Sequence, residues 1–222
     1  MIAPAYVTIG ELTLDDTVFL SGEFQRAQSG GGALYAALGM NMWGAAVGIN
    51  AVVGQEYPQY YLDTLTSHCI DLAGVLRWAG PGLRLWLLHE EHNKKQQVFQ
   101  LQSSTFEDMD RLRPDLPATY RSAKGYHLAP ASPFGQQRAR DAIRLCCPDA
   151  LISLDILTAP YIDQEFYRSG AALRGIDLFI PSAQEAETLW PGVPQSKLLT
   201  QLSDLGPRWV ALKLDESGSL IY

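Results

Sequence analysis

The sequence predicts an α/β fold in three layers, with a mostly parallel central sheet between layers of helices. In the second half of the chain, apolar strand-like runs alternate with helical runs, and the connections are short. The strand-like runs are 125–128, 151–156, 177–180 and 208–214, and the helical runs are 133–146, 161–173, 182–190 and 195–205. Alternating strands and helices of this kind pack as a parallel sheet that helices cover on both faces. The 222 residues, of which 47% are hydrophobic, suffice for one domain with its own core.

The first half of the chain is less regular. The predicted elements are strands at 5–9, 17–20 and 45–53, helices at 33–43 and 57–67, and a hairpin from 83–88 and 97–101. Small and apolar residues recur at helical spacing in 33–43, and 45–53 is a nearly continuous apolar run of the kind found in buried strands. A polar turn between two short apolar runs predicts the hairpin. We expect the polar residues 21–29 to form a flexible stretch.

Composition argues against two classes of partner. A net charge of −7 and a pI near 5.0 do not suit a nucleic-acid binder, which needs a basic face. No apolar run approaches the roughly 20 residues of a membrane span, so we expect no membrane partner. The first residues lack the charged and apolar regions of a secretory signal, and three cysteines form no disulfide framework. We therefore expect a cytoplasmic protein. The adjacent Cys146 and Cys147 follow a helical run, which favours packing over a redox or metal pair.

Three consecutive glycines, Gly30, Gly31 and Gly32, precede a predicted helix. Glycines let the backbone approach a ligand closely, and the free N–H groups of a helix start favour anions or hydroxyl oxygens. One alternative is a dinucleotide site of the Rossmann type, because a strand and the acidic Glu56 follow the helix. Tyr35 at the third small position and the polar segment before the glycines argue against it. A flexible loop that merely starts a helix is the other alternative.

Five segments resemble, in the same order, motifs of the ribokinase/PfkB family of carbohydrate kinases. They are I-G-E-L-T-L-D at 9–15, G-G-G-A-L-Y-A-A at 30–37, C-I-D-L-A-G-V at 69–75, D-L-F-I-P-S-A-Q-E-A at 177–186 and V-A-L-K-L-D-E-S-G at 210–218. Each segment alone is weakly specific, but their order across the chain is characteristic. The resemblance implies a ribokinase-like α/β/α fold with a small β lid, built here from about 12–25 and 83–101.

The resemblance also implies a site for a sugar substrate. In the family the first acidic residue binds sugar hydroxyls, and that position is Asp15 here, with Asp16 as an alternative. A carboxylate accepts hydrogen bonds from two neighbouring hydroxyls and so orients them. The other interpretation of Asp15 is an aspartate that caps a turn. The backbone of the three glycines would line the same pocket, and Tyr35 stands where many members have an asparagine that contacts substrate.

ATP and Mg²⁺ are the cofactors that the resemblance implies. Glu185 matches the glutamate that helps hold Mg²⁺, Ser182 replaces the family's asparagine, and Lys213 matches a position near the nucleotide phosphates. Ser182 and Glu185 also fit a capping box, which accounts for both residues as a helix start. Asp215 stands where the family has glycine and brings a negative charge towards the place of the triphosphate.

The machinery for phosphoryl transfer is incomplete in the sequence. The transfer needs a base to accept the proton and a helix start rich in donors. The family supplies both from a Gly-Ala-Gly-Asp motif beyond the last of the five segments, and this motif does not occur in the 222 residues. We therefore expect a C-terminally truncated fragment that contains no catalytic base and is inactive by itself.

The function that the resemblance predicts is ATP-dependent phosphorylation of a sugar or a related small hydroxylated metabolite. The alternative is a non-catalytic sugar-binding or regulatory homologue of these kinases. The lids of this family often pair, so a homodimer through the lid is the assembly that the resemblance implies.

Overall fold

A computed structural model of the chain describes residues 3–91, 95–159 and 162–222. The strands are β1 (Tyr6–Ile9), β2 (Thr13–Val18), β3 (Phe24–Gly30), β4 (Val47–Val53), β5 (Asp71–Arg77), β6 (Arg84–His89), β7 (Lys95–Phe99), β8 (Gly125–Leu128), β9 (Leu151–Leu154), β10 (Leu178–Phe179), β11 (Trp209–Lys213) and β12 (Ser219–Ile221). The helices are α1 (Gly32–Met42), α2 (Gln59–Ser67), α3 (Phe106–Leu112), α4 (Pro133–Cys146), α5 (Glu165–Arg168), α6 (Ala183–Leu189) and α7 (Gln195–Asp204).

The central sheet has eight strands in the order β12-β11-β10-β9-β8-β1-β4-β5. Its strands pair in parallel except for β12, which pairs antiparallel with β11. Strand β1 lies between β4 and β8, so the chain first extends the sheet on one side and later on the other. Ligands of open α/β sheets bind outside the carboxyl ends of the strands at such a switch point. The predicted three-layer α/β fold is confirmed.

Three apolar clusters of described residues hold the helices against this sheet, and the smallest joins α3 to β4 through Phe106, Met109 and Val52. Helices α1 and α2 pack with β4 in the second cluster, while α4, α6 and α7 pack with β1, β8 and β9 in the third. Every residue of β4 is buried, as expected for a strand with both faces covered. Among the described residues, no helix is long and apolar enough to cross a membrane.

A separate four-stranded sheet has the order β3-β2-β6-β7 and corresponds to the predicted lid. Strands β6 and β7 pair antiparallel, which confirms the predicted hairpin. Strand β2 joins this hairpin to β3, since it pairs parallel with β6 and antiparallel with β3. Residues 92–94 of the hairpin turn lie outside the described residues.

Several local predictions were wrong. The stretch 21–29 contains strand β3, whose mostly exposed residues are held by backbone pairing to β2 and lack an apolar pattern. Strand β2 begins at Thr13 and contains Asp15 and Asp16, which the prediction placed before a strand at 17–20. Strand β5 and helix α3 were not predicted.

The helix predicted at 161–173 is largely replaced by short turns. Its first residue lies outside the described residues, and the α-helical part is the short α5. Gly170 then adopts a left-handed conformation with φ 74°, and a 3₁₀ turn follows at Ala171–Leu173. A left-handed residue interrupts the helical hydrogen bonds, so the amphipathic pattern on either side does not form one helix.

Candidate functional site

A cavity of about 270 Å³ lies where the carboxyl ends of the central strands meet the small sheet. Glu11 follows β1, Pro130 follows β8, and Ile156 follows β9, and all three contribute to its wall. The opposite wall comes from strands β2, β6 and β7 of the small sheet. The cavity therefore occupies the switch point beside β1, the place where folds of this class bind ligands.

Three polar side chains that line this cavity carry buried oxygen atoms with no hydrogen-bond partner among the described residues. Glu11, Thr13 and Asp15 are 1%, 2% and 6% exposed. Within the described part of the chain, Oε2 of Glu11, Oγ1 of Thr13 and Oδ1 of Asp15 have no hydrogen-bond partner. Burying an unpaired polar atom costs about 1–3 kcal/mol, and such atoms are rare in folded proteins. Three of them around one cavity indicate a ligand that donates hydrogen bonds.

The alternation of side chains along strands explains how these groups meet. Thr13 and Asp15 are two residues apart on β2, so both point to the same face of the small sheet. On β6 and β7 the same spacing brings Leu85 with Leu87, and Lys95 with Gln97, into the cavity wall. These side chains all belong to the lining of this cavity.

The glycine run is needed because the chain passes very close to the acidic groups. Gly30 is the last residue of β3 and pairs with Thr13, and a Cβ atom on Gly30 would overlap the carboxylate of Asp15. Gly31 has φ 105°, and a Cβ atom there would overlap the carbonyl of Glu11. Gly31 and Gly32, the first residue of α1, line the cavity, whereas Gly30 is not among its lining residues.

The Rossmann alternative does not fit this arrangement. The strand before the glycines is β3, which lies in the small sheet and is mostly exposed. A dinucleotide fingerprint requires a buried strand of the parallel sheet at this place. Glu56, the acidic residue considered for that motif, instead accepts a hydrogen bond from the backbone N–H of Gly82 at 2.8 Å.

Burial raises the pKa of Asp15 to about 6. The neighbouring Thr13 hydroxyl and the Lys95 ammonium act in the opposite direction, and the negative charge of Asp16 adds a further increase. Asp16, the alternative substrate ligand, accepts a hydrogen bond from the backbone N–H of Ala27 at 2.7 Å. Asp16 therefore holds β3 in place, and of these two adjacent aspartates it is Asp15 that lines the cavity.

A buried ion network stands behind the cavity. Arg113 donates to Oε1 of Glu11 at 2.7 Å and also to the carboxylate of Asp110. Burial raises the pKa of Glu11, and the positive charge of Arg113 opposes this shift. Asp110 further accepts from the backbone N–H and the hydroxyl of Ser132. One oxygen of Glu11 is thus fixed by arginine, while the other is left for the cavity.

Glu185 reaches the same cavity from helix α6. It forms the predicted capping box with Ser182, since each side chain accepts a hydrogen bond from the other residue's backbone N–H, at 2.7 and 3.2 Å. Burial raises the pKa of Glu185, and the nearby Asp155 carboxylate raises it further. Lys213 Nζ lies 2.7 and 2.8 Å from the two oxygens of Asp155. Asp155, Glu185 and Lys213 thus form a charged group next to the cavity.

Most of the predicted site residues converge. Asp15, Tyr35 and Glu185 line one cavity, and Tyr35 lies at its open side with 64% of its surface exposed. Sequence reasoning did not assign a role to Glu11, Thr13 or Asp155. Two signals were available: the i, i+2 spacing of Thr13 and Asp15, and the position of Asp155 directly after a strand of the parallel sheet.

Fold and site together define an α/β protein of the ribokinase-like type, with a polar cavity between the central sheet and the small β sheet. No family model matches the chain. A cytidine kinase from Thermococcus kodakarensis is 22% identical over 220 residues, which cover 97% of this chain and 75% of that protein.

Solved structures support the fold. A PfkB protein from Polaromonas sp. JS666 has a TM-score of 0.73 at 18% identity and covers 99% of this chain and 79% of its own. Arabidopsis thaliana ribokinase, complexed with ribose and ATP, has a TM-score of 0.71 at 15% identity, and the match covers 99% of this chain and 75% of that one. A structure described as ribokinase II from E. coli, in complex with ATP and Mg²⁺, has a TM-score of 0.70 at 14% identity, covering 99% and 75%. The resemblance to PfkB/ribokinase kinases is confirmed at the level of the fold.

Proposed function

We propose that this chain forms the substrate-binding part of an ATP-dependent kinase that phosphorylates a hydroxyl group of a sugar or of a ribose-containing nucleoside. The observation that carries the proposal is the set of buried, unpartnered oxygens on Glu11, Thr13 and Asp15 in one cavity. Two of the similar proteins support this substrate class: one is a cytidine kinase, and the other is a ribokinase whose structure contains ribose.

The three oxygens suit a neutral molecule with several hydroxyl groups. Ionised Asp15 accepts from substrate hydroxyls, and Oε2 of Glu11 accepts from another, while Thr13 both accepts and donates. A phosphorylated or carboxylated substrate would meet three carboxylates in the same cavity, those of Glu11, Asp15 and Glu185, and, among the described residues that line it, a single lysine, Lys95. Like charges at short distance cost several kcal/mol, so an uncharged polyol is the better ligand.

The small sheet supplies the rest of the enclosure. Leu85 and Leu87 give the cavity an apolar wall against the carbon skeleton of the substrate, and Tyr35 stands at the open side. Enclosure of this kind keeps water away from a transferred phosphoryl group, which limits hydrolysis of the donor.

The charged group beside the cavity fits a magnesium-bound triphosphate. Among the described residues, no cluster of three or more His, Cys, Asp or Glu side chains would hold a metal on its own. Mg²⁺ in phosphoryl-transfer sites is bound by one or two carboxylates together with phosphates and water, and Glu185 and Asp155 provide such a pair. Bound there, the metal would neutralise charge on the phosphates during transfer. Lys213 would contact the phosphates after exchanging its partner Asp155 for them.

No Gly-Ala-Gly-Asp motif occurs in the 222 residues, so no base for the proton is assigned. We expect this polypeptide by itself to bind substrate without turning it over. A second candidate, a non-catalytic binding homologue, is favoured by the ion pair that neutralises Lys213 and by the exposed Asp215 beside it. The two candidates differ in whether Mg²⁺-ATP binds.

A homodimer through the small sheet is the assembly we propose. Its strands and their turns expose aromatic and apolar side chains, with Leu20 at 66%, Val98 at 43% and Phe24 at 38%. Phe24 stacks on Trp86, which gives this face a flat aromatic surface. Light scattering coupled to gel filtration should report a mass twice that of one chain, and Val98→Lys should reduce this mass to that of one chain.

Calorimetric titration of the chain with ribose, fructose and cytidine tests the substrate site. We expect at least one of these ligands to bind, and Asp15→Ala to weaken binding about a hundredfold, as for loss of a charged acceptor. Asp16→Asn is the matched control, because it also removes one negative charge but keeps the acceptor for Ala27. Equal binding by the Asp15 variant would falsify the proposal. Titration with Mg²⁺-ATP then separates the kinase from the non-catalytic homologue.

A further inference from the structure

A second cavity of about 330 Å³ lies between residues 113–121 and one face of helix α4. It shares no lining residue with the cavity beside Asp15. The buried ion pair joins the two cavities, since Glu11 lines the first and Arg113 lines the second. A volume of this size is at the lower end of the range for small-molecule sites.

Three arginines line this second cavity, namely Arg113, Arg121 and Arg138. Two aspartates, Asp110 and Asp115, also line the cavity, and each is paired with one of these arginines. The fully buried Asp110 is already bound to Arg113 and Ser132. The side chain of Asp115 is 90% exposed and lies 3.4 Å from Arg138.

Donors of two of these arginines are unused. The side chain of Arg113 is only 6% exposed, yet its Nε has no hydrogen-bond partner in the part of the chain that the structure describes. Arg121 is exposed, and its guanidinium forms no hydrogen bond or ion pair with any described residue. An unpaired, buried guanidinium nitrogen is costly, and an anionic acceptor from outside would satisfy it.

The other side of the cavity is apolar. Ala139, Ala142 and Leu145 lie at helical spacing on one face of α4, and Leu116 faces them from the preceding loop. Leu145 lies at the edge of the cavity and is 89% exposed. The cavity thus combines a cationic end with an apolar wall.

From these features we propose that the second cavity binds a small organic anion, in which a phosphate or carboxylate group is attached to an apolar group of about one ring. The anionic group accepts from Arg113 Nε and from the guanidinium of Arg121. The ring packs against Ala139, Ala142 and Leu145. This site is separate from the proposed substrate cavity and does not depend on kinase activity.

Protection of Cys146 from alkylation tests the proposal directly. Cys146 lines the second cavity and is exposed, while Cys69 is also exposed but lies at the end of α2, away from it. We expect phenyl phosphate or benzoate to slow the reaction of iodoacetamide with Cys146, measured by mass spectrometry, and to leave Cys69 unchanged. The ligand that protects at the lower concentration identifies the preferred anionic group. Phenol and inorganic phosphate should protect far less, because each has only half of the recognised features.

Two variants make the result specific. Arg121→Ala removes a guanidinium that has no hydrogen-bond or ion-pair partner among the described residues, and it should weaken phenyl phosphate binding about tenfold. Arg174→Ala removes an exposed arginine outside the cavity and should have no effect. Ala142→Trp fills the cavity without changing its charge and should abolish protection. The proposal is overturned if neither anion protects Cys146, if inorganic phosphate protects as well as phenyl phosphate, or if both cavity variants bind like the unmodified chain. Substrate binding in the other cavity is unaffected by these outcomes.

Discussion

The two sides of the candidate site treat their charged groups differently. On the proposed substrate side, Glu11, Thr13 and Asp15 are almost completely buried and keep oxygens without a hydrogen-bond partner among the described residues. On the proposed nucleotide side, Lys213 is paired with Asp155, and Glu185 caps the backbone of its own helix. The substrate side is therefore organised before a ligand arrives, whereas the nucleotide side must exchange internal partners for its ligand.

This difference indicates where binding energy is gained. Unpaired buried acceptors recover their desolvation cost when a hydroxyl donates to them, so a neutral ligand binds without rearrangement. A triphosphate at Lys213 must first compete with Asp155, and only the remaining energy contributes to affinity. We expect the substrate side to bind more readily in the isolated chain.

The largest expected effect concerns three ion pairs, two made by Arg113 and one made by Lys213. Arg113→Met leaves Glu11 and Asp110 buried without their cation and should lower the free energy of unfolding by about 3–5 kcal/mol. Lys213→Met breaks a half-exposed pair and should cost about 1 kcal/mol or less. Urea denaturation of both variants measures the difference. Similar losses for the two would contradict the comparison.

A matched pair of glycine substitutions examines the geometry of the substrate side. Gly30→Ala places a methyl group against the Asp15 carboxylate and should weaken ligand binding at least about tenfold. Gly39→Ala, inside α1 with no atom near the added methyl, should leave binding unchanged and raise stability by about 0.5–1 kcal/mol. Calorimetric titration and thermal melts provide both readings. Unchanged affinity in the Gly30 variant would show that Asp15 does not hold the ligand.

The pH dependence of binding should report Asp15. Its pKa is raised to about 6, so the carboxylate accepts hydroxyl protons above that value and is neutral below it. Ligand affinity should therefore fall about tenfold between pH 7 and pH 5. The free energy of unfolding of the chain without ligand should change in the opposite direction. Because protonated Asp15 is favoured in the folded chain, its contribution to stability is fully present below the pKa of the unfolded chain, near 4, and is lost as the pH rises through 6. Asp15→Asn should flatten both profiles, and a profile that stays in this variant would assign the titration to another group.

The smallest expected effect separates capping from metal binding on the nucleotide side. Glu185→Gln keeps an acceptor for the backbone N–H of Ser182 but loses the charge, so stability should change by less than about 0.5 kcal/mol. Mg²⁺-ATP binding should weaken severalfold. Ser182→Ala removes the other half of the capping box and should lower stability by about 1 kcal/mol with little effect on Mg²⁺. If Glu185→Gln lowers stability and leaves Mg²⁺-ATP binding unchanged in calorimetry, Glu185 acts only as a helix cap.

Periodic apolar patterns predicted most of the central sheet. Strand β4 and helix α4 follow strong local patterns, and the structure confirms both. Strand β3 has a polar, exposed sequence and exists because β2 pairs with its backbone. Helix α3 is short, and the prediction for 161–173 did not anticipate the left-handed Gly170. Strand β3 was missed because its stability comes from a neighbouring strand, whereas α3 was missed although a capping box of Thr105 and Asp108 begins it.

The sequence by itself determined the residue types of the site: an acidic residue after the first strand, a glycine run before a helix, and a capping box with a glutamate. The structure places that glutamate, Glu185, at the cavity. Their side chains alternate along strands or begin helices, and these are local properties. Tertiary structure alone decided that Glu11 keeps one free oxygen because Arg113, 102 residues away, binds the other. It also decided that Lys213 is paired with Asp155, 58 residues earlier. Burial and charge pairing depend on groups brought together from distant parts of the chain, and these interactions set which atoms remain available to a ligand.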